Sequence, residues 1–447
     1  MLIDFTIQNY LSFKDKKTFS FLCNSRNVED DKKLLSIDEG TYKLYTTSVI
    51  LGPNASGKTN FLKALSDFKL FVTKSNNFEV GKKIPYYKPF KLNTDTINSP
   101  TIFDIEFVEN NDHYSYIVEF DEDKVISETL YIFTKKKKLA KSLLFERKEQ
   151  SVNYGNKFKG NKAVFNTVLL PNKLLLSIVG NSNNEILDSA YSFFSEGLNT
   201  DFPYQKNTIL YSKYATTLLA KKDLVLKELT LKMLRASDLQ INDIEFKSDE
   251  DKKNDLFKNY NVESDKEKEA LELFNTETYF KHSIYDNDYN KQNEVSFNLY
   301  NEESAGSKKL FELASTILLA LIIGDVLVID ELSSCFHPKI ELFLVDLFLD
   351  KEINVNGAQL LFNTHNINII DNNRFTREQV WFTDRNRYGE SDLFCLDEFD
   401  KNLIRDYANY GKSYSENRLG ALPNPCFKAF KEEVKSFYAK EKKEYGE

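Results

Sequence analysis

The sequence is poor in the residues that mark disulfide-rich, metal-binding or membrane-spanning proteins. Its 447 residues include four cysteines, Cys23, Cys335, Cys395 and Cys426. They lie far apart and no C-x-x-C pair occurs, so we expect reduced structural thiols and no zinc site. The longest apolar run, residues 317–323, is far below the ~18 residues that a membrane span needs. No basic, apolar leader is visible, so the sequence predicts a soluble, cytoplasmic protein without a membrane partner.

Neither sign of charge dominates the composition. Lysine and arginine total 60, aspartate and glutamate total 68, and the net charge is −8. A protein that coats nucleic acid is expected to be strongly basic, so this balance argues against that class but leaves a local basic groove open. Apolar residues make up 41% of the chain, which is enough for a sizeable core. The length predicts two or three domains, or one domain with a large insertion.

One glycine-rich segment, residues 52–59, has the pattern of a phosphate-binding loop. This glycine loop fits G-x-x-x-x-G-K-[ST] at every fixed position. A β-rich run precedes it and a helical pattern follows, so backbone N–H groups and the positive end of a helix would face the phosphates of ATP. Lys58 would bridge the β and γ phosphates, and Thr59 would bind magnesium. The predicted nucleotide-binding residues are Gly52, Pro53, Asn54, Ala55, Ser56, Gly57, Lys58, Thr59 and Asn60.

Two adjacent carboxylates, Asp330 and Glu331, follow an aliphatic run over residues 326–329. The run predicts a buried strand, and open α/β sheets bind ligands beyond the carboxyl ends of their strands. An Asp-Glu pair can also simply end a strand. Together with the glycine loop it predicts that Asp330 holds the magnesium ion with Thr59 and that Glu331 polarises the attacking water as a general base.

Two weaker candidates lie on either side of these carboxylates. Ser304, Gly306 and Ser307 precede a predicted helix over residues 308–323, which fits a small anion site and also an ordinary helix cap. His365 follows a predicted strand over residues 359–364. It could contact the γ phosphate, although a lone histidine is often structural.

The order of these motifs resembles the ABC-type ATPase head of the SMC, RecF and OLD proteins, over about residues 1–180 and 295–425. The resemblance implies that Ser304 to Ser307 form the signature that reaches ATP held by a second head. It implies that residues 332–338 form the D-loop and that His365 is the switch histidine. The expected partner is therefore another copy, in a homodimer or higher homo-oligomer joined through ATP-sandwiched heads.

The chain resembles most closely the AAA ATPases of bacterial abortive-infection systems, of the AbiL and Rlo type. This resemblance implies an ATP-driven sensor and switch in anti-phage defence, which controls a separately encoded toxin or nuclease-like effector. Its trigger would be DNA or a phage protein. The matching segments are Asn9 to Phe13, Asn54 to Asn60, Asp330 with Glu331, His337 with Pro338, Thr364 to Asn366, Gln379 to Trp381 and Arg418 to Pro423.

The chain departs from the general ABC pattern in three places. The signature reads Ser-Ala-Gly-Ser where Ser-Gly-Gly-Gln is usual, and no Q-loop glutamine occurs at a recognisable place. His337 stands where transporters have aspartate, as in the defence family. The missing Q-loop leaves open how hydrolysis is coupled to motion.

The predicted fold class is α/β, an ABC-ATPase head with a split mixed sheet, an antiparallel β-meander and a helical insertion. Period-two patterns over residues 102–133 predict the meander. The predicted parts are residues 1–183, with the glycine loop and meander; 184–294, a helical lobe without a long coiled coil; and 295–447, with the other motifs. The lysine run 135–138 fits a solvated hairpin tip or a contact to a phosphate backbone.

Two other functions remain open on the sequence alone. One is a DNA-repair ATPase of the RecF kind, whose hydrolysis duplex DNA would stimulate. The other is a nucleotide-binding scaffold that does not hydrolyse ATP. An acidic cluster over residues 384–400 fits a solvated loop and hairpin, so we expect no TOPRIM nuclease within this chain.

Overall fold

The computed structural model of the protein is built around two β-sheets with helices packed between and outside them. The lysines 136–138, residues 249–275 and Pro423 of the late motif, Arg418 to Pro423, lie outside the residues that it describes. The described residues are 1–24, 34–37, 40–135, 139–180, 185–202, 215, 216, 219, 224–248, 276–335, 337–370, 374–400, 409–422 and 426–444.

Strands are spread over the whole chain, and helices are concentrated after residue 160. The strands are β1 (Leu2–Gln8), β2 (Lys17–Ser20), β3 (Leu34–Ile37), β4 (Tyr42–Tyr45), β5 (Thr47–Leu51), β6 (Thr101–Glu109), β7 (Asp112–Phe120), β8 (Val125–Lys135), β9 (Leu139–Lys148), β10 (Ser151–Tyr154), β11 (Leu198–Phe202), β12 (Asp243–Ser248), β13 (Thr276–Tyr285), β14 (Lys291–Asn298), β15 (Val326–Ile329), β16 (Gln359–Asn363), β17 (Val380–Arg385) and β18 (Ser391–Cys395). The α-helices are α1 (Lys58–Lys74), α2 (Lys162–Val168), α3 (Leu175–Val179), α4 (Glu185–Ser192), α5 (Leu224–Ala236), α6 (Ala305–Ile323), α7 (Pro338–Leu349), α8 (Tyr410–Ser415) and α9 (Phe427–Glu444).

The six-stranded sheet joins strands from both ends of the sequence. Its order is β11-β15-β16-β5-β17-β18. Strand β5 pairs in parallel with β16 on one side and with β17 on the other. The loop after β5 therefore lies beside the ends of strands that come more than 300 residues later. The seven-stranded sheet is an antiparallel meander in the order β10-β9-β8-β7-β6-β1-β2.

Side-chain alternation divides the core into two layers. Successive residues of a strand face opposite sides of a sheet, so Val328 and Leu361 pack with α1 and the antiparallel sheet, whereas Leu327 and Leu360 pack with α6 and α7. Helix α1 lies between the two sheets, and its Phe68 ring contacts several aromatic rings of the meander and its surroundings. This packing fixes the start of α1, where the glycine loop ends.

The mixed α/β class and the split sheet are confirmed, as are the predicted strands before the glycine loop and across the meander. In the described part of residues 184–294, the expected helices occur as α4 and α5, but strands that the sequence did not predict occur beside them. There β12, β13 and β14 form an antiparallel sheet, and β11 joins the six-stranded sheet beside β15. Strand β13 alternates buried Thr276, Thr278 and Phe280 with less buried residues, a period-two pattern that the high charge of the segment obscured. The three domain boundaries stay a prediction.

Among the described residues, no helix is long and apolar enough to cross a membrane.

Candidate active site

Four neighbouring strands deliver the predicted site residues to one edge of the six-stranded sheet. The glycine loop follows β5, Asp330 and Glu331 follow β15, and His365 comes two residues after β16. Because β5, β15 and β16 are parallel, their carboxyl ends meet at the same edge, where open α/β sheets bind ligands. Strand β17 ends at this edge with Arg385.

The glycine loop needs both of its glycines, because of their backbone conformation and because a Cβ atom has no room there. Gly52 and Gly57 adopt φ angles of 151° and 121°, which L residues with side chains rarely adopt. A Cβ atom at Gly57 would lie 2.6 Å from Oγ of Ser391. The loop is also held from β17, because the hydroxyls of Ser56 and Thr383 are hydrogen-bonded at 2.5 Å. The loop therefore keeps one curved shape against β17 and β18.

Lys58 begins α1 and directs its ammonium group back into the loop. Its Nζ donates to the carbonyl oxygens of Gly52 at 2.7 Å and Pro53 at 3.0 Å. Burial lowers the pKa of Lys58 to about 8, while Asp330 and Glu331 act in the opposite direction. A cation with few anionic partners is thus held at the centre of the loop, where phosphate oxygens would stabilise its charge.

Thr59, the residue after Lys58, is hydrogen-bonded to Asp330. The Thr59 hydroxyl donates to both carboxylate oxygens of Asp330, at 3.0 and 3.1 Å. Burial raises the pKa of Asp330, and hydrogen bonds from Asn363 and Thr59 oppose that rise. Hydroxyl and carboxylate oxygens are ligands that Mg²⁺ accepts, usually with several waters and phosphate oxygens. The two side chains therefore fit the predicted magnesium site.

Glu331 and His365 face the glycine loop across a cavity of about 280 Å³. Both side chains are exposed, so they can meet a ligand without rearrangement. Burial lowers the pKa of His365 first, and the positive charge of Lys58 lowers it further. The imidazole is therefore neutral at neutral pH. The cavity is lined by residues 54–60 together with Glu331, His365 and Arg385.

A second cavity, of about 390 Å³, adjoins the first one. The two share Asn60 and Arg385 as lining residues. Asn60 donates to the hydroxyl of Ser12 at 2.8 Å, which fixes the common wall. The remaining lining mixes aromatic, aliphatic and basic side chains: Leu11, Ser12, Tyr87, Lys88, Pro89, Phe90, Lys91 and Leu92.

The predicted signature residues lie away from the cavity of their own chain. Ser304 caps α6, and its Oγ accepts from the Ser307 N–H at 3.1 Å. Gly306 faces the carbonyl oxygen of Cys335, which lies 3.1 Å from the position of a Cβ atom. None of the three residues lines the cavity. Within one chain, the structure therefore brings together every predicted site residue except the signature.

Two residues of the site carried no sequence motif. Asn363 ends β16 and hydrogen-bonds the Asp330 carboxylate and the Glu331 N–H. Arg385 ends β17 and lines both cavities. The sequence signal for Asn363 was its place near the end of the predicted strand over residues 359–364, two residues before His365; the patterns described above gave no signal for Arg385.

A protein-family match covers the chain from the strand before the glycine loop to beyond His365. A family model described as "AAA domain, putative AbiEii toxin, Type IV TA system" matches residues 48–371. The chain belongs to this AAA family. The match extends from β5 through Asp330 and Glu331 to the residues after His365, so it contains every residue that lines the first cavity except Arg385.

Other comparisons are more distant. No curated protein matches the AAA chain. Among solved structures, the SMC head bound to the C-terminal winged-helix domain of ScpA is 12% identical in sequence. The similarity covers 88% of this chain and 97% of that chain, with a TM-score of 0.39.

Proposed function

We propose that this protein binds ATP at the glycine loop and hydrolyses it with magnesium. The observation that carries the proposal is the convergence of Lys58, the Thr59–Asp330 pair and Glu331 on one cavity edge. Family membership supports the same chemistry, since the matched AAA domain spans all of these residues.

Each of these side chains has a distinct role in the proposed reaction. The Lys58 ammonium group exchanges its hydrogen bonds to the carbonyl oxygens of Gly52 and Pro53 for contacts with the phosphate oxygens, and its positive charge offsets theirs. Thr59 and Asp330 would hold magnesium, which neutralises charge on the β and γ phosphates when it is bound. Glu331 accepts a proton from the attacking water, and His365 contacts the γ phosphate.

The second cavity is suited to the base and ribose. It continues from the phosphate cavity through Asn60 and Arg385, and it offers the half-buried Tyr87 and the exposed Leu92 as apolar surfaces. We expect Arg385→Ala to weaken nucleotide binding roughly tenfold and to leave kcat nearly unchanged, because a uniform binding contact is lost. Direct binding of a fluorescent ATP analogue measures the loss, and Arg387→Ala, an exposed arginine of the same turn that lines neither cavity, is the matched control.

A second copy of the chain is proposed to complete the active site. Ser304, Gly306 and Ser307 stand at the start of α6 but do not line the cavity of their own chain. If they contact ATP, that ATP is held by another copy. Nucleotide bound to a monomer should then be hydrolysed slowly, and ATP should promote self-association.

The proposed biological role is that of a switch subunit in anti-phage defence. The description of the family names a toxin–antitoxin system, and the late motif beginning at Arg418 resembles abortive-infection ATPases. ATP would clamp two heads, and a phage-derived trigger would change this assembly and release or activate a separately encoded effector.

Two variants test the proposed chemistry together. Glu331→Gln should bind ATP, hydrolyse it at least 100-fold more slowly and accumulate as an ATP-dependent dimer in analytical ultracentrifugation. Lys58→Ala should fail to bind the nucleotide. Equal hydrolysis by Glu331→Gln and the native protein would contradict the proposed base and favour a scaffold.

The biological role needs an experiment of its own. Phage plating on cells that carry the native operon or the Lys58→Ala variant tests the proposed defence function. Equal plaque counts would reject it. Strong stimulation of hydrolysis by duplex DNA, weakened at higher salt, would instead favour the RecF-like alternative.

A further inference from the structure

Asn363 is buried on β16, between the strand that leads to the two carboxylates (β15) and the strand that leads to the glycine loop (β5). It is the last residue of β16, it is 0% exposed, and β16 lies between β15 and β5 in the sheet. Its backbone is paired in register with Ile50 of β5. Asn363 is therefore held rigidly at the place where the glycine loop and the two carboxylates approach each other.

The two ends of its carboxamide bind two different site residues. Nδ2 donates to Oδ1 of Asp330 at 2.5 Å, and Oδ1 accepts from the backbone N–H of Glu331 at 2.6 Å. A carboxylate only accepts and a backbone N–H only donates, so the amide can satisfy both partners in one orientation alone. Aspartate would repel Asp330, and leucine would satisfy neither partner.

The hydrogen bonds of Asn363 stabilise an unusual backbone turn that directly follows Asp330. Glu331 has a φ angle of 54°, in the left-handed region that glutamate seldom adopts. The Leu332 N–H donates to the carbonyl oxygen of Asn363 at 3.1 Å. Asn363 thus holds the first two residues after Asp330, by its side chain and by its main chain. The direction of the Glu331 side chain depends on this turn.

We propose that Asn363 is a positioning residue that sets Asp330 and Glu331 in one fixed relation to Thr59. It is fully buried and does not line the cavity, so it acts through the Asp330 carboxylate and the Glu331 backbone. Misplacement of a catalytic group by about 1 Å can cost roughly 100-fold in rate. This inference rests on the proposed ATPase function, which the native protein tests separately.

A second buried asparagine of the same strand region provides a matched control. Asn354 is 5% exposed and makes three hydrogen bonds, donating to Phe348 and Ala358 and accepting from the Ala358 N–H. Ala358 precedes β16, so Asn354 supports the opposite end of the strand that Asn363 ends. Its loss should disturb folding about as much and the active site much less.

The experiment compares Asn363→Ala and Asn363→Asp with Asn354→Ala and the native protein. We expect both Asn363 variants to lose about 30- to 100-fold in kcat with less than a threefold change in KM for ATP. Asn354→Ala should keep its kcat at temperatures well below its unfolding midpoint. Melting curves show whether the two alanine variants are destabilised to a similar degree.

A binding readout separates positioning from simple loss of fold. Mn²⁺ is added with ATP in place of magnesium, and its binding to the native protein and to each variant is measured by electron paramagnetic resonance. Asn363→Asp should retain nucleotide binding and change the Mn²⁺ spectrum and affinity by at least threefold, because a second carboxylate then stands beside Asp330. Asn354→Ala should give the native spectrum.

The experiment distinguishes a failure of the proposed ATPase function from a failure of the positioning role of Asn363. If the native protein does not hydrolyse ATP, the proposed function fails before Asn363 is considered. If the native protein is active, native kcat in Asn363→Ala overturns the positioning role. So does a loss of activity that Asn354→Ala reproduces at equal stability. A loss of kcat confined to the Asn363 variants, with a changed Mn²⁺ spectrum, supports it.

Discussion

Lys58 should take up a proton when ATP binds at alkaline pH. In the free site, burial holds its pKa at about 8, and the nearest oxygen atoms that it contacts are uncharged carbonyls. Phosphate oxygens would favour the charged form, so the pKa of Lys58 is higher in the complex than in the free protein. ATP affinity is then greatest below pH 8 and falls as the pH rises from about 8 towards the higher pKa of the complex.

The size of the effect follows from the free-state pKa. At pH 8.5 a group with a pKa near 8 is about three-quarters deprotonated, so about 0.75 proton should enter per ATP bound. Well above pH 8, affinity should fall roughly tenfold for each further unit of pH, until the pKa of the complex is reached. At pH 7 the lysine is already charged, and the uptake should be below about 0.1 proton.

Isothermal titration calorimetry in buffers of different ionisation enthalpy measures this uptake directly. Lys58→Arg is the control, because a guanidinium stays charged throughout this range and should show no uptake. Equal proton uptake at pH 7 and pH 8.5 would refute the reasoning. So would an uptake at pH 8.5 that Lys58→Arg retains.

Further predictions concern the loop and the core. Gly57→Ala should weaken ATP binding at least tenfold, because the new Cβ would lie 2.6 Å from a buried oxygen, whereas Gly81→Ala, with a positive φ but open space, should bind normally. Arg147→Met should lower the free energy of unfolding by about 3 kcal/mol in urea titrations, since it leaves buried Glu128 without its cation. Phe68→Ala should cost about 3–5 kcal/mol by the same measurement, because its ring packs among other aromatic rings at the centre of the core. Losses below about 1 kcal/mol in the last two variants would contradict this account of the core.

The sequence predicted those parts of the site that local patterns determine. The pattern of a glycine loop lies within one short, contiguous segment between a strand and a helix. Gly57, Lys58 and Thr59 could therefore be assigned before any fold was known. Asp330 and Glu331 were recognisable because an aliphatic strand of four residues delivers them. In each case the signal lies in neighbouring residues.

The parts that could not be predicted depend on pairing between distant segments. Asn363 acts because β16 lies beside β15, and Arg385 lines the cavity because β17 lies beside β5. Neither residue type is unusual at a strand end. The strands of the 184–294 segment were missed because their polar faces hide the alternation, and β11 was missed because its partner β15 is 128 residues away (Leu198 pairs with Val326).

The position of β5 between β16 and β17 also constrains how the protein is made. Gln379, just before β17, donates to the carbonyl oxygen of Thr47, 332 residues earlier. At roughly 5–20 residues per second on the ribosome, β5 waits about 15–70 s for both of its neighbours to emerge. During that time the strand before the glycine loop has two edges of unpaired backbone N–H and C=O groups beside apolar side chains, and such a strand is prone to aggregation. A nascent chain should therefore be unable to bind nucleotide until almost all of the matched AAA region, and the strand beyond it, has been synthesised.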